Sequence, residues 1–274
     1  MLAAKLTAIL TKNVTACPAK QIHALIIISG LNKLESHLVR QILLSACNYS
    51  KSIAQYVQNI LYHSQNPDGF SWSCMIRYFS QQGQFKEALS LYVKMQTLGL
   101  YPSTFALSSA LRACARSVYK TQGTLVHAQS FKFGFCGCVY VETALMDLYS
   151  KLGDMNNAQK VFDEMLEKNV VSWNTILSGY LRSANLVEAQ RVFDKIPTKD
   201  VISWNSILAG YAKIGDMEEA CHLFEQMPER NCASWNAMIS GFHKRACWQL
   251  TNLCEDLRNK ARSYTFLSLL FFPF

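Results

Sequence analysis

Ser172-Trp173-Asn174, Ser203-Trp204-Asn205 and Ser234-Trp235-Asn236 recur at a constant interval, each followed by a glycine and an aromatic, Gly179-Tyr180, Gly210-Tyr211 and Gly241-Phe242. An interval of this size marks a solenoid, whose repeats bury their apolar faces against their neighbours and bind through the stacked inner wall. A single globular catalytic core is not the expectation.

Stepping by 31 extends the pattern. One series runs Leu145, Ile176, Ile207, Met238 and another Tyr149, Tyr180, Tyr211, Phe242; a second half follows with Ala158, Ala189, Ala220, then Phe162, Phe193, Phe224, then Met165, Ile196, Met227. Trp173, Ile176, Leu177 and Tyr180 fall at helical spacing, as do Ala189, Val192, Phe193 and Ile196, so each unit reads as two amphipathic helices. Gly153 and Gly215 mark the end of a first helix, because glycine accepts the left-handed conformation that closes it. Asp154, Asn185 and Asp216 follow as N-caps of the second helix, and Glu188 and Glu219, three residues after the latter two, predict capping boxes. Pro197 and Pro228 end the second helix.

Working outward, the chain divides into units at 3–37, 38–68, 69–103, 104–138, 139–169, 170–200 and 201–231, the first two less regular, with the first helix of an eighth over 232–244. The fold expected is all-α, a solenoid of helix-turn-helix repeats. Residues 245–274 break the pattern and close on a largely apolar segment, Tyr264 to Phe274. A capping helix and a truncated end without evolved structure compete there; truncation is favoured, because a cap should present a polar outer face.

Half of the 274 residues are hydrophobic and the net charge is +8, a basic excess compatible with nucleic acid and insufficient alone to demand it. The ten cysteines include no Cys-x-x-Cys, and Cys136-Gly137-Cys138 lacks a nearby histidine. Reduced structural thiols are expected, with neither a metal site nor a cofactor. None of His23, His37, His63, His127, His222 and His243 is followed by x-Glu, so the zinc-deaminase signature is absent and no catalytic residue is assigned. Residues 1–34 contain no carboxylate while carrying Lys5, Lys12, Lys20 and Lys33, which suits an organelle transit segment over 1–20, overlapping the first unit. No stretch reaches the roughly 18 apolar residues of a membrane span, so no membrane association is expected.

The sequence resembles the pentatricopeptide repeat proteins of plants, in the class that mixes 35- and 31-residue repeats. The resemblance rests on Val170-Val171-Ser172-Trp173-Asn174 with Ser178-Gly179-Tyr180, on Ala189 to Asp194, on Phe224 to Asn231, and, for the longer type, on Lys20 to Ala24 echoed by Leu125-Val126-His127-Ala128. It covers about residues 3–243 and implies a right-handed α-solenoid superhelix. It further implies a non-enzymatic, sequence-specific binder of single-stranded organellar RNA, in the mitochondrion or alternatively the chloroplast. The role implied is site selection for cytidine-to-uridine editing, with a deaminase recruited in trans. The alternative is a protein-interaction scaffold of tetratricopeptide type.

The family implies that the fifth residue of a repeat and its last residue together contact one base. Transferred residue by residue, the pairs are Ser73 with Ser103, Ser108 with Cys138, Thr143 with Asn169, Asn174 with Asp200, and Asn205 with Asn231, with Asn236 opening the eighth. The family's rules make the third an adenine reader, the fourth a uracil reader and the fifth a pyrimidine reader leaning to cytosine. The first two pairs match no strong rule. N-capping is the competing role for these Asn and Asp residues. Tyr140, Val171, Ile202 and Ala233 occupy the place where neighbouring repeats of the family sandwich a base, with packing between repeats as the alternative. Lys151, Arg182, Lys213 and Lys244 recur near first-helix ends. There they suit a phosphate backbone, with compensation of the helix dipole as the alternative, and the two roles are compatible.

Overall fold

In the computed structural model the described residues are 16–29, 38–39, 51–63 and 68–245, and all described secondary structure is helical. Most of the expected transit segment and the divergent tail beyond 245 lie outside them. The chain divides after Lys168 into two compact parts.

The first part contains α1 (Ala16–Ile28), α2 (Lys51–His63), α3 (Gly69–Gln81), α4 (Phe85–Thr97), α5 (Thr104–Ser117), α6 (Lys120–Lys132), α7 (Val139–Lys151) and α8 (Met155–Glu164). The second contains α9 (Val170–Arg182), α10 (Leu186–Lys195), α11 (Val201–Ile214), α12 (Met217–Gln226) and α13, residues 232–245. First helices therefore start at residues 69, 104, 139, 170, 201 and 232. Within each part they pack side by side, α3 on α5 on α7 and α9 on α11, while a second helix bridges its own first helix and the next, as α4 does between α3 and α5. That layering puts the outer stripe of the first helices on one wall of each part.

The apolar periodicity explains the packing. Trp72, Met75, Ile76, Leu91, Met95, Leu107 and Leu111 are buried in the first part, and Ile176, Leu177, Ala189, Ile207, Leu208 and Ala220 in the second. Each large side chain so buried contributes roughly 1.5–3 kcal/mol. Small residues set the helix approach: a methyl added at Gly210 would lie 2.5 Å from Leu181 Cδ2, and one at Gly241 would lie 2.9 Å from Ala212 Cβ. This is why α11 and α13 keep a glycine one turn before their ends.

The structure corrects one expectation. Asp154, Asn185 and Asp216 do cap α8, α10 and α12, accepting from the backbone of Asn157, Glu188 and Glu219. The reciprocal half of the capping box is missing, however, because the Asn185 and Asp216 backbone N–H groups already donate to Tyr180 O at 3.0 Å and Tyr211 O at 3.2 Å. The turn closing the first helix has taken the donor, and Glu188 pairs with Arg191 instead. The second helices α4, α6, α8, α10 and α12 start at 85, 120, 155, 186 and 217, the same place in each of the units that open at 69, 104, 139, 170 and 201.

Candidate nucleic-acid interface

The second, fifth and thirteenth residues of each first helix lie on one side of it by helical geometry, with the fifth recessed: Ser73 and Asn174 are buried, Thr143 and Asn205 half-buried. The second residues project into solvent: Tyr140, Val171 and Ile202 are 71%, 60% and 62% exposed, and Ala233 is exposed as well.

The fifth and last residues meet through the helix cap. Asn169, Asp200 and Asn231 each precede a first helix, and each accepts from the backbone N–H of the serine three residues on, Ser172, Ser203 and Ser234, at 2.9, 2.8 and 3.1 Å. These serines are fully buried. Asp200 Oδ1 also accepts from Asn174 Nδ2 at 3.0 Å, and the Ser203 hydroxyl lies 2.6 Å from Asn174 Oδ1 and 2.8 Å from Asp200 Oδ1, with one proton to give. Burial works against the Asp200 charge, but the Ser203 N–H, the Asn174 amide and the Ser203 hydroxyl outweigh it and hold the carboxyl below its ordinary value. Capping and pairing, posed as alternatives by the sequence, are here one arrangement.

The next pair differs in chemistry. Asn205 Nδ2 donates to Asn231 Oδ1 at 3.2 Å, and that oxygen also accepts from Ala233 N and Ser234 N at 2.9 and 3.1 Å. Two backbone donors fix which end of the Asn231 amide faces the helix, so its NH₂ must point away. Asn205 Oδ1 is buried without a partner among the described residues. Asp200 thus has an acceptor oxygen left over, whereas Asn231, and Asn169 by the same cap, have a donor left over.

Ser103 caps α5 and donates to Ser73 Oγ at 2.8 Å, and Ser73 in turn donates to Gly69 O at 2.7 Å, so this pair is spent within the protein. Ser108 donates to Phe105 O, and Cys138 precedes α7 without a side-chain cap bond, so the two do not bond to each other. Thr143 donates to Val139 O at 2.6 Å in the first part, while Asn169 caps α9 in the second. Asn236 is exposed on α13.

Of the cation series, Arg182, Lys213 and Lys244 are exposed. Lys151 is partly buried and paired with Asp147 on its own helix, so its charge is already matched there. Lys213, Lys244 and Arg245 line a cavity of about 490 Å³ shared with Asp216 and Glu218. Sequence reasoning missed Arg116, exposed in the last turn of α5; stepping back from Lys151 by 35 instead of 31 finds it. No group of metal-ligating side chains is present among the described residues.

These helix pairs, stacked unit on unit within each part, define a helical-repeat protein. The PPR repeat family model matches residues 67–116 and 199–244, and the PPR repeat model residues 143–170 and 171–201. The chain belongs to the pentatricopeptide repeat family. Among its relatives in Arabidopsis thaliana, one pentatricopeptide repeat-containing protein is 48% identical over 183 residues, covering 67% of this chain and 32% of the relative. A chloroplastic one is 34% identical over 168 residues, covering 61% and 36%, and a mitochondrial one is 36% identical over 118 residues, covering 43% and 18%. The chain thus spans about a third or less of the length of these relatives. The fold is similar to that of the pentatricopeptide repeat protein PPR10, solved in complex with an 18-nt psaJ RNA element, with TM-score 0.65, 21% identity, and coverage of 87% of this chain and 38% of that one.

Proposed function

We propose that the chain binds single-stranded RNA in a plant organelle, one base per repeat, and serves site selection in RNA processing. The specific role is cytidine-to-uridine editing with a deaminase supplied in trans. The observation that carries the base-reading model is the division of labour in the cap residue. One terminal atom of Asp200 or Asn231 holds the helix start and the fifth residue, and the other remains for a ligand. A left-over carboxylate oxygen on Asp200 suits uracil, whose N3 carries a proton. A left-over amide NH₂ on Asn169 or Asn231 suits adenine N1 or cytosine N3, which are acceptors. The order read is adenine, uracil, then pyrimidine leaning to cytosine, 5′ to 3′. Tyr140, Val171 and Ile202 flank the bases, and Arg182, Lys213 and Lys244 meet the phosphates, with Lys151 joining once its pair with Asp147 opens. Relatives of both chloroplast and mitochondrion support an organellar site, with the mitochondrion put first and the chloroplast as the alternative.

The test is Asp200→Asn, which keeps the cap oxygen and turns the remaining acceptor into a donor. Binding should shift from uracil toward cytosine at the central base by about 10-fold, or about 1.4 kcal/mol. An unchanged preference in a titration with matched and single-base-changed RNAs would rule out base reading by this pair. Tight peptide binding with no RNA preference would favour the scaffold alternative.

A further inference from the structure

The ninth residue of the first helix lies on the same stripe as the second, fifth and thirteenth, all within about 80° around the axis. On α3 and α5 it is arginine, Arg77 and Arg112, one repeat apart and both exposed, and Arg116 follows one turn further along α5. Neither helix contains a carboxylate. Among the described residues none of these three arginines is in an ion pair. The Arg77 guanidinium sits 5.9 Å from the centre of the Phe105 ring, which is 57% exposed, and Phe70 occupies the equivalent place one step earlier. The charge stripe stops at α7, where the ninth residue is Asp147, bound to Lys151. In α9 and α11 it is Ser178 and Ala209.

The first of these repeats also has its reading pair, Ser73 with Ser103, spent inside the protein. We propose that α3 and α5 form a sequence-independent clamp for single-stranded RNA, with Arg77 and Arg112 on successive phosphates and Phe70 and Phe105 against bases. The proposal rests on the RNA-binding reading above. A nucleotide presents one phosphate and one flat ring, and this wall presents one cation and one ring per repeat. An acidic peptide would use the cations and leave the rings idle.

The experiment compares the full chain with Arg77→Gln/Arg112→Gln on two RNAs, one carrying the adenine-uracil-cytosine core and one scrambled, across a salt series. The double variant should bind both RNAs more weakly by the same factor, on the order of 10-fold. Its log-log salt slope should fall by about 1.4, two contacts at about 0.7 each for single strands. Arg77→Lys/Arg112→Lys should restore the slope. A wild-type slope in the Gln variant overturns the clamp while base reading stands. A changed ratio between the two RNAs overturns its sequence independence. Displacement of RNA by polyglutamate as readily as by polyuridine shows a general anion surface and also overturns it. Failure of the wild-type chain to bind either RNA removes both this clamp and the function it rests on.

Discussion

The long repeats at 69–138 and the short repeats at 139–231 close their first helix in one way and their second helix in two. In both classes the fifteenth residue is left-handed, at Gly83, Val118, Gly153, Ala184 and Gly215. The second helices differ: α4 and α6 have 13 residues, whereas α8, α10 and α12 have 10. The long ones end on left-handed Gly99 and Gly134, whose N–H groups return to Gln96 O and Phe131 O at 2.9 and 3.1 Å. The short ones leave the helix in an extended conformation at Met165, Ile196 and Met227, and a side chain satisfies the free carbonyls. Lys168 Nζ reaches Met165 O at 2.7 Å, Lys199 Nζ reaches Ile196 O at 3.2 Å, and Arg230 Nη2 reaches Glu225 O at 2.8 Å. Each cation also lies over a phenylalanine, Phe162, Phe193 or Phe224, at 5.3, 5.2 and 5.1 Å. A backbone solution and a side-chain solution thus do the same work, and the side-chain one brings the next first helix closer in sequence.

The largest effect expected from breaking this difference is at Phe193. Its ring carries Lys199 on one side and meets Trp204 edge-on at 5.0 Å, joining the end of α10 to the start of α11. Phe193→Ala should cost about 3 kcal/mol or more in denaturant unfolding. The same position in the long repeats is Tyr92 or His127, whose polar tips bond Gln129 and the Tyr149 hydroxyl at 2.8 and 2.6 Å. Tyr92→Phe, which deletes one such bond, should cost about 1 kcal/mol. A loss at Phe193 no larger than that at Tyr92 would show that the buried ring holds the α10–α11 junction less than its contacts imply.

Next in size is Asp200, which combines the cap and the reading pair. Asp200→Ala should destabilise by about 1–2 kcal/mol, since the start of α11 loses its cap and Asn174 loses an acceptor. The pH dependence separates it from Asn231. A carboxyl held below its unfolded value of 3.8 stabilises the fold above that pH, and the contribution disappears as pH falls through the lower, folded value. Acid unfolding curves of the wild type and Asp200→Asn should therefore converge only below about pH 3.8. Parallel curves throughout would mean that the ionised oxygen is not what the cap uses.

Much of this is legible in the sequence because the signals are local. The positions of α9, α10, α11 and α12 follow from apolar spacing and from Asn185, Asp216, Pro197 and Pro228, none of which needs a distant partner. Three things are hidden, each for its own reason. The capping box fails because its donor goes to a carbonyl of the previous helix, a competition visible only once the turn at Ala184 or Gly215 is built. Lys168, Lys199 and Arg230 recur in step with the repeat, yet proline already accounts for the helix end and leaves them looking like a polar link. Arg77, Arg112 and Arg116 escape a series stepped at the short period, because they lie where the chain is built at the long one. As for the candidate site, the residue pairs come from resemblance, and sequence cannot reveal that capping and pairing share one oxygen.

The smallest effect tests what the two classes share. An L-residue with a side chain pays roughly 1–2 kcal/mol to stand in the left-handed region, while glycine gives back about 0.4–1 kcal/mol through its freer unfolded chain. Val118, in a long repeat, has φ 57° and a branched side chain; Ala184, in a short repeat, has the same φ of 57°. Val118→Gly and Ala184→Gly should each stabilise by about 0.5–1 kcal/mol, the first slightly more, because a branched Cβ crowds the following carbonyl further. Both side chains are exposed, so neither substitution removes packing that would confuse the measurement. A gain at Ala184 with none at Val118 in thermal unfolding would separate the turns, and the match of the fifteenth position across long and short repeats would then be a coincidence of angle without a common energy.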